Sequence, residues 1–171
     1  MKLRPFKPSD ASVITSWLKD EYTFLLWSAG RFPSYPLTAE KLIFQLESTA
    51  DPRCLNMTAL SEKDEAIAFL SIRLLPKNDE ARLCSIVVSD RERGRGLGRQ
   101  LITAAAEYAF SVLSAKKISI AVFSQNEKAI ACYRSVGFRF DEGMPDETRV
   151  CAGEVWTLRH MILEKTAFSQ A

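Results

Sequence analysis

The sequence predicts an α+β fold in which a mixed, mostly antiparallel central sheet is flanked by helices. Three strand-like segments follow one another between residues 56 and 88, separated only by short polar turns. Residues 97–113 then place apolar side chains three and four positions apart, as an amphipathic helix does. A strand-like segment rich in β-branched residues, 117–123, comes directly after that helix. This succession of elements predicts a mixed sheet.

The N-terminal third contains one predicted strand and two predicted helices. Residues 3–6 are a short candidate strand, and the polar residues at 8–10 supply capping chemistry for the helix that follows. A second helix is predicted over 39–49, after the capping residue Thr38. The segment between the helices, 20–35, is rich in aromatic residues, and the prolines in and after it exclude a long helix there.

The rest of the chain supplies most of the sheet. Strands are predicted at 56–60, 66–75, 81–88, 117–123, 138–140 and 155–163. Asn126 caps a short helix, which Gly137 ends. The segment 141–149 is polar and is predicted as a loop.

Composition indicates a soluble globular protein of one domain. The 171 residues are enough for one full core, and 47% hydrophobic and 26% charged residues are ordinary for that class. A net charge of +2 gives no general attraction to nucleic acid or to a membrane surface. No apolar stretch reaches membrane-spanning length and the first residues lack the apolar core of a secretion signal, so a cytoplasmic location is expected.

Cysteine and histidine usage argues against a metal site. The four cysteines are widely spaced and form no Cys-x-x-Cys pair, and a reducing compartment is the default for such a chain. The single histidine, His160, argues against a multi-histidine metal site and against histidine-based catalysis. We therefore expect no metal, and we expect His160 to be structural or exposed.

A glycine-rich segment stands between a predicted strand and the long predicted helix. Residues 93–98 read Arg-Gly-Arg-Gly-Leu-Gly. Such glycines let the backbone turn tightly with its N–H groups exposed, and a helix start adds unpaired amides and a positive dipole end. The spacing fits neither a P-loop nor a dinucleotide fingerprint, but the arginines suit a pyrophosphate. The segment predicts phosphate binding, with a solvated basic loop as the alternative.

A second pattern, Asn-x-x-Ala-x-x-x-Tyr-x-x-x-Gly-Phe, runs from Asn126 to Phe138. Together with the glycine segment, it resembles the acyl-CoA-binding core of the GNAT superfamily of N-acetyltransferases. The order of helices and strands is also similar to that family. The resemblance implies a three-layer α/β/α fold and a single N-acetyltransferase domain over 1–171. Within it, 79–140 would be the acyl-CoA-binding core, and the N-terminal third would lie on the acceptor side.

The resemblance also implies roles for individual residues. The end of the strand before the glycine segment would splay from its neighbour, and its backbone would bind the pantetheine arm of acetyl-CoA. The glycine segment would wrap the pyrophosphate, Asn126 would contact the cofactor arm, and the hydroxyl of Tyr133 would point at the sulfur. The implied cofactor-binding residues are Ile86, Val87, Val88, Arg93, Gly94, Arg95, Gly96, Leu97, Gly98, Asn126 and Tyr133.

The predicted reaction is direct transfer of an acetyl group from acetyl-CoA to a primary amine in a ternary complex. The departing thiolate needs a proton, and Tyr133, which is protonated at neutral pH, can supply it as a general acid. The alternative for Tyr133 is a core aromatic on a helix face. No cysteine is placed to support a covalent acyl-enzyme.

The proton acceptor is less well marked. Some family members that modify protein N-termini carry Glu five residues before the Asn of the second pattern, where this chain has Ala121. Others place Glu early on the strand before the glycine segment, and Glu80 stands at that distance, thirteen residues before Arg93. We therefore predict Glu80 as the base. The alternative is an exposed turn carboxylate beside Asp79.

The acceptor amine is left open by the sequence. A peptide N-terminus, a lysine, a polyamine, an aminoglycoside and an amino acid are all compatible with it, so the partner is a small-molecule amine or a protein or peptide amine. The alternative function is a sensor module that binds acyl-CoA without transferring it. No nucleic-acid or membrane partner is expected, and the chain could be a monomer or a homodimer.

Overall fold

The computed structural model of the protein describes residues 1–32, 34–75, 79–92, 94 and 96–168. The helices are α1 (Ala11–Ser16), α2 (Glu21–Ser28), α3 (Ala39–Ser48), α4 (Leu97–Ser111), α5 (Glu127–Arg134) and α6 (Lys165–Phe168). The strands are β1 (Lys2–Pro5), β2 (Cys54–Leu60), β3 (Ala66–Leu75), β4 (Glu80–Val88), β5 (Lys117–Phe123), β6 (Arg139–Phe140), β7 (Glu147–Cys151) and β8 (Glu154–Glu164). Among these helices, none combines the length and the apolar character needed to cross a membrane.

The described strands form one sheet in the order β1-β2-β3-β4-β5-β8-β6, and β7 also pairs with β8. Every pairing recorded for them is antiparallel except β4 with β5, which is parallel. Helix α4 connects these two strands, as a parallel pair requires. The predicted α+β class, with a mixed and mostly antiparallel sheet, is confirmed.

Helices cover both faces of the sheet. Helices α1, α2 and α3 pack their apolar side chains on one face, against residues that include Phe69 and Val87. Helices α4 and α5 pack on the other face, where Leu101 and Ile102 of α4 are fully buried. Three alanines of α4 are also fully buried and let the helix approach the sheet closely. The result is three layers, as predicted.

The aromatic segment contains a helix that the sequence did not reveal. Asp20 caps α2, because its side chain accepts a hydrogen bond from the N–H of Thr23 at 2.6 Å. The helix ends at Ala29, whose φ of 45° lies in the left-handed region, directly before Gly30. An eight-residue helix thus fits before the first proline. The sequence excluded only a long helix in this segment, and the short α2 agrees with that.

The predicted polar loop 141–149 is partly wrong, because its last residues belong to β7. Strand β7 pairs with β8 from Glu147 to Cys151, and the connecting residues Ala152 and Gly153 both have positive φ, at 50° and 82°. Such a two-residue turn matches the twist of a hairpin. The pairing depends on a partner strand, and composition alone does not show it.

Candidate active site

A β-bulge interrupts β4 at Ser85. Two β4 residues, Ser85 and Ile86, face the single β3 residue Leu70, because the ladder shifts register there. Ser85 has a φ of 48°, in the left-handed region, and it is buried. An extra residue of this kind bends the strand and takes backbone groups out of the ladder.

Directly beside the bulge, β4 separates from β5. The two strands pair only over 80–83 on β4. Beyond that point β4 continues beside β3, and β5 continues beside β8. No strand among the described residues pairs with the β5-facing edge of 84–88. An extended ligand such as a pantetheine arm can bind an edge of this kind as an added strand. The predicted splay residues, 86–88, lie within it.

Two side chains, one on α2 and one just after it, donate hydrogen bonds to the bulge. They lie on the face of the sheet opposite to α4 and α5. The indole Nε1 of Trp27 donates to the carbonyl oxygen of Ser85 at 2.8 Å, and the guanidinium of Arg31 donates to the Ser85 hydroxyl oxygen at 2.9 Å. Sequence analysis gave neither residue a role.

The N-terminus of α4 is open. Gly94 and Gly96 have φ of 81° and 74°, and apart from their chain neighbours no described residue has an atom within 4 Å of the position that a Cβ would occupy on either of them. Gly96 is the N-cap and offers no side-chain cap, so the first-turn amides from Leu97 onward are not satisfied by it. These amides suit a phosphate group. The predicted Arg93 and Arg95 lie outside the described residues.

Gly98 serves helix packing. It lies in the first turn of α4, and a Cβ on it would come within 3.2 Å of the Cys132 Sγ on α5. The small residue therefore lets α4 and α5 approach each other. This places the start of α4 close to the helix that carries Tyr133.

Tyr133 lies in the layer between α5 and the sheet and is only 8% exposed. Burial raises the pKa of its phenol well above the ordinary value, and the nearby Cys132 and Cys84 thiols raise this pKa further. Tyr133 therefore keeps its proton at neutral pH. Tyr133 belongs to the same buried cluster as Leu83, the last β4 residue that pairs with β5, and Ile86 and Val88 of the open edge pack against that cluster.

The bulge, the open edge, the glycine turn and the buried phenol together form a site that fits an acyl-CoA. The model of the acetyltransferase (GNAT) family matches residues 12–138. The chain belongs to the GNAT acetyltransferase family. The prediction of an acetyl-CoA-dependent N-acetyltransferase is thereby confirmed, with acetyl-CoA as its co-substrate.

Known GNAT proteins similar to this one include polyamine acetyltransferases. Spermidine N(1)-acetyltransferase of Escherichia coli K12 is 25% identical over 148 residues, which cover 81% of this chain and 72% of that protein. Spermidine N(1)-acetyltransferase of Vibrio cholerae is 21% identical over 168 residues, 98% of this chain and 95% of that protein. The crystal structure of spermidine N-acetyltransferase from Vibrio cholerae in complex with CoA and spermine has a TM-score of 0.81 at 19% identity, covering 98% and 97% of the two chains.

Asn126 connects β5 to α5 in this GNAT fold. Its side chain accepts a hydrogen bond from the N–H of Ala129 at 3.3 Å and so caps α5. The capping bond uses the Oδ1 atom, and the amide Nδ2 is the group that could donate to a cofactor arm. The sequence prediction of a helix cap at this position is correct, and the cofactor contact stays a prediction.

Glu80 is buried on β4, at 5% exposure, so the exposed turn carboxylate considered as its alternative is wrong. The Ser119 hydroxyl donates to Glu80 Oε1, and the Nζ of Lys117 lies 3.1 Å from Oε2. Arg82 places a guanidinium nitrogen 3.7 Å from Oε1. Glu80 stands four residues before Cys84, which is about 13 Å along a strand. Its assignment as the base stays a prediction, and these ion pairs argue against it.

The face of the sheet that carries α2 has two further features. His160 on β8 is 4% exposed, and its Nε2 lies 3.1 Å from Oε1 of Glu147 on β7. A pocket near the N-terminal end of α2 is lined by Tyr22, Ser124, Gln125, Glu154, Val155, Trp156 and Thr157. In it the Tyr22 and Trp156 rings meet edge to face at 5.5 Å. The sequence pointed to His160 only as a structural or exposed residue. It revealed neither the pairing of His160 with Glu147 nor the pocket, because both arise from contacts between β8 and other elements. In the described ranges, no three His, Cys, Asp or Glu side chains are grouped to hold a metal ion.

Proposed function

We propose that this enzyme acetylates a primary amine of a polyamine, and that the amine attacks acetyl-CoA directly in a ternary complex. The observation that carries the proposal is the unpartnered edge of β4, whose residues Ile86 and Val88 pack against the cluster that contains the buried Tyr133. The acceptor class is supported by the relatives, which are named as spermidine acetyltransferases, and by the solved neighbour that holds CoA and spermine.

In this proposal the cofactor binds along β4 and at the start of α4. Backbone groups of Ile86, Val87 and Val88 pair with the pantetheine arm as an added strand would. The open amides of the glycine turn and of the first turn of α4 bind the pyrophosphate. The arginines at positions 93 and 95 add charge-assisted hydrogen bonds, and Asn126 donates to the arm.

The chemistry needs the proton that Tyr133 holds. The neutral amine nitrogen forms a bond to the thioester carbonyl carbon, and the carbon–sulfur bond breaks. The phenol of Tyr133 gives its proton to the departing thiolate. A backbone N–H on the open stretch of β4 can polarise the carbonyl oxygen as charge develops on it.

Charge on the acceptor side indicates where a polyamine tail would lie. Arg31 stands at the bulge, and its positive charge repels a second ammonium group there. The pocket near α2 offers aromatic faces from Tyr22 and Trp156 together with the Glu154 carboxylate, which accepts a hydrogen bond from the Trp156 indole at 3.3 Å. Aromatic rings and a carboxylate attract an ammonium ion. The distal ammonium therefore lies toward β8.

The test is thiol release from acetyl-CoA with spermidine, spermine, a lysine-containing peptide and a simple monoamine. We expect the polyamines to give the highest kcat/KM. Glu154→Gln should raise KM for spermidine about two- to fivefold, as expected for an exposed charge pair, and should leave the monoamine unaffected. Glu142→Gln, at another exposed carboxylate, is the matched control and should change neither the KM for spermidine nor the activity with the monoamine.

Two results would contradict the proposal. Turnover confined to the peptide would replace the polyamine with a protein acceptor. Tight CoA binding without thiol release on any amine would instead favour the acyl-CoA sensor.

Several expectations remain predictions beside this proposal. They are the single domain over 1–171 with its core at 79–140, the acceptor side in the N-terminal third, the cytoplasmic location, and a monomeric or homodimeric state. Gel filtration with light scattering measures the last of these directly.

A further inference from the structure

The one histidine of the sequence is buried beside a carboxylate on the acceptor side of the sheet. His160 Nε2 lies 3.1 Å from Glu147 Oε1, and a neutral imidazole that donates from Nε2 keeps its lone pair on Nδ1. For Nδ1, no hydrogen-bond partner is found in the part of the chain that the structure describes. The ring is thus held by one nitrogen and can accept a proton at the other.

The register of the sheet places this ring next to the splay. His160 pairs directly with Ala121 on β5, and directly opposed residues of antiparallel strands share a face with their Cβ atoms about 5 Å apart. Ala121 is the first β5 residue after the last pair with β4, and Cys84 is its counterpart on β4. The methyl side chain of Ala121 leaves space between the imidazole and the gap.

His160 and Tyr133 approach this gap from opposite faces. Ala121 packs against the cluster of Phe123 and Leu158 together with residues of α2, so His160 lies on the α2 face. Tyr133 belongs to the cluster on the α4 and α5 face. An amine that enters from the α2 face would therefore meet the imidazole before it reaches the thioester.

We propose that His160 is the proton acceptor for the attacking amine, through an intervening water, and that Glu147 is its positioning residue. At least two strand spacings, about 10 Å, separate β4 from β8, so the imidazole cannot contact an amine at β4 directly. The ammonium gives one proton to the water, the water gives one to Nδ1, and the imidazolium is stabilised by the Glu147 carboxylate. The inference rests on the proposed acetyl transfer and holds for any amine acceptor.

The charges around His160 favour this direction of proton flow. Glu147 from β7 faces the ring, and the charge of Arg31 stands across the gap beside Ser85. Cys84 lies at the opposite side of the gap. Farther along the same face, Glu80 is paired with Lys117 and is therefore a poorer proton acceptor for this site.

The first test compares His160→Gln with the wild-type enzyme across pH and across amines. At pH 7 an amine with a pKa of about 10.4 is neutral in about one molecule in 2,500, and an α-amine with a pKa of about 8 in about one in ten. Without a proton acceptor, the amine must arrive neutral. We expect kcat/KM for spermidine to fall about 100-fold at pH 7. The loss should shrink toward pH 10, and it should be smaller for a peptide α-amine.

A second test keeps the inference falsifiable if His160→Gln folds poorly. Glu147→Gln should lower kcat/KM for spermidine severalfold at pH 7 and less toward pH 10, because it removes the carboxylate that stabilises the imidazolium. Glu142→Gln, in the adjoining segment, should leave kcat/KM and its pH dependence unchanged. CoA affinity, read by thermal shift, should be the same in all three variants.

The outcomes separate this inference from the proposed function. If wild-type enzyme turns over and a well-folded His160→Gln variant keeps the wild-type kcat/KM and pH profile, His160 is not the proton acceptor. A well-folded Glu147→Gln variant with the wild-type kcat/KM at every pH would also overturn it. If spermidine is not acetylated but the peptide is, the polyamine assignment fails, and the same comparison is run with the peptide.

Discussion

Trp27 of α2 donates its indole N–H to the main-chain carbonyl of Ser85 at 2.8 Å, across 58 positions of sequence. Ser85 is the residue whose left-handed conformation creates the bulge in β4. A side chain of α2 thus holds the strand whose β5-facing edge is unpaired beyond Leu83. The shape of the unpaired edge of β4 therefore depends on α2, which packs on the face of the sheet opposite to α4 and α5.

Trp27→Phe should loosen this connection. The substitution removes the donor and leaves the buried Ser85 carbonyl without its partner, which costs about 1–3 kcal/mol of unfolding free energy. We expect kcat/KM to fall severalfold as well, because the bulge is less rigidly held. Urea denaturation and thiol release measure the two effects.

Trp156→Phe is the matched control for that variant. The Trp156 indole donates to the exposed carboxylate of Glu154, which can bond to water instead. The lost ring volume is the same, but the loss of unfolding free energy should stay below that of Trp27→Phe. Equal losses in the two variants would show that ring volume, and not the bond to Ser85, is responsible.

Tyr133→Phe should lower kcat about 100-fold or more and leave CoA affinity unchanged, because the phenol acts only on the leaving thiolate. Burial raises the pKa of Tyr133, so the ordinary tyrosine ionisation near pH 10 should be absent from the wild-type kcat profile. Tyr108→Phe, at a half-buried tyrosine of α4, is the control and should keep wild-type kcat. An alkaline decline of kcat centred near pH 10 would contradict the assignment.

Local pattern was enough to predict most of the fold. The helical spacing at 97–113 became α4, and the apolar segment at 117–123 became β5 with the predicted bounds. Helix α2 had a visible capping residue, Asp20, and was missed because the nearby prolines dominated the interpretation. Strand β7 could not be predicted from its own residues, because it is defined by its pairing with β8.

The residues of the candidate site also differ in how far the local sequence could predict them. The residues predicted to bind the cofactor lie close together in sequence, so motif spacing could nominate them, and their roles stay predictions. The features on the α2 face depend on contacts between residues far apart in sequence, such as Arg31 with Ser85 and His160 with Glu147, which no short motif encodes. For the same reason Glu80 matched by spacing, yet the fold surrounds it with Lys117 and Ser119.

Gly98→Ala should be sensitive to Cys132. A helical alanine normally gains about 0.5–1 kcal/mol over glycine, but the added Cβ would lie 3.2 Å from the Cys132 Sγ. We expect no gain in the wild-type background and a gain of that size in a Cys132→Ala background, as measured in a double-mutant cycle. An identical effect in both backgrounds would exclude the steric explanation.

The buried carboxylate of Asp10 should make folding sensitive to acid. Asp10 is 6% exposed and accepts hydrogen bonds from the Arg4 guanidinium at 2.7 and 2.8 Å and from the Thr58 hydroxyl at 2.8 Å. Burial alone would raise the pKa of this carboxyl, but the bonds from Arg4, from the Lys7 N–H and from Thr58 outweigh it and lower the pKa below the ordinary value.

Because the native pKa is below that of the unfolded chain, Asp10 stabilises the fold fully above the unfolded value of about 3.9, and this stabilisation is lost as pH falls through the native pKa. Asp10→Asn should lower the unfolding free energy by about 2–3 kcal/mol at pH 7, as expected for lost hydrogen bonds to a charged group. The deficit should narrow between pH 4 and pH 2. Glu62→Gln, at an exposed turn, is the control. A deficit that stays constant over that range would show that the Asp10 charge does not contribute to folding.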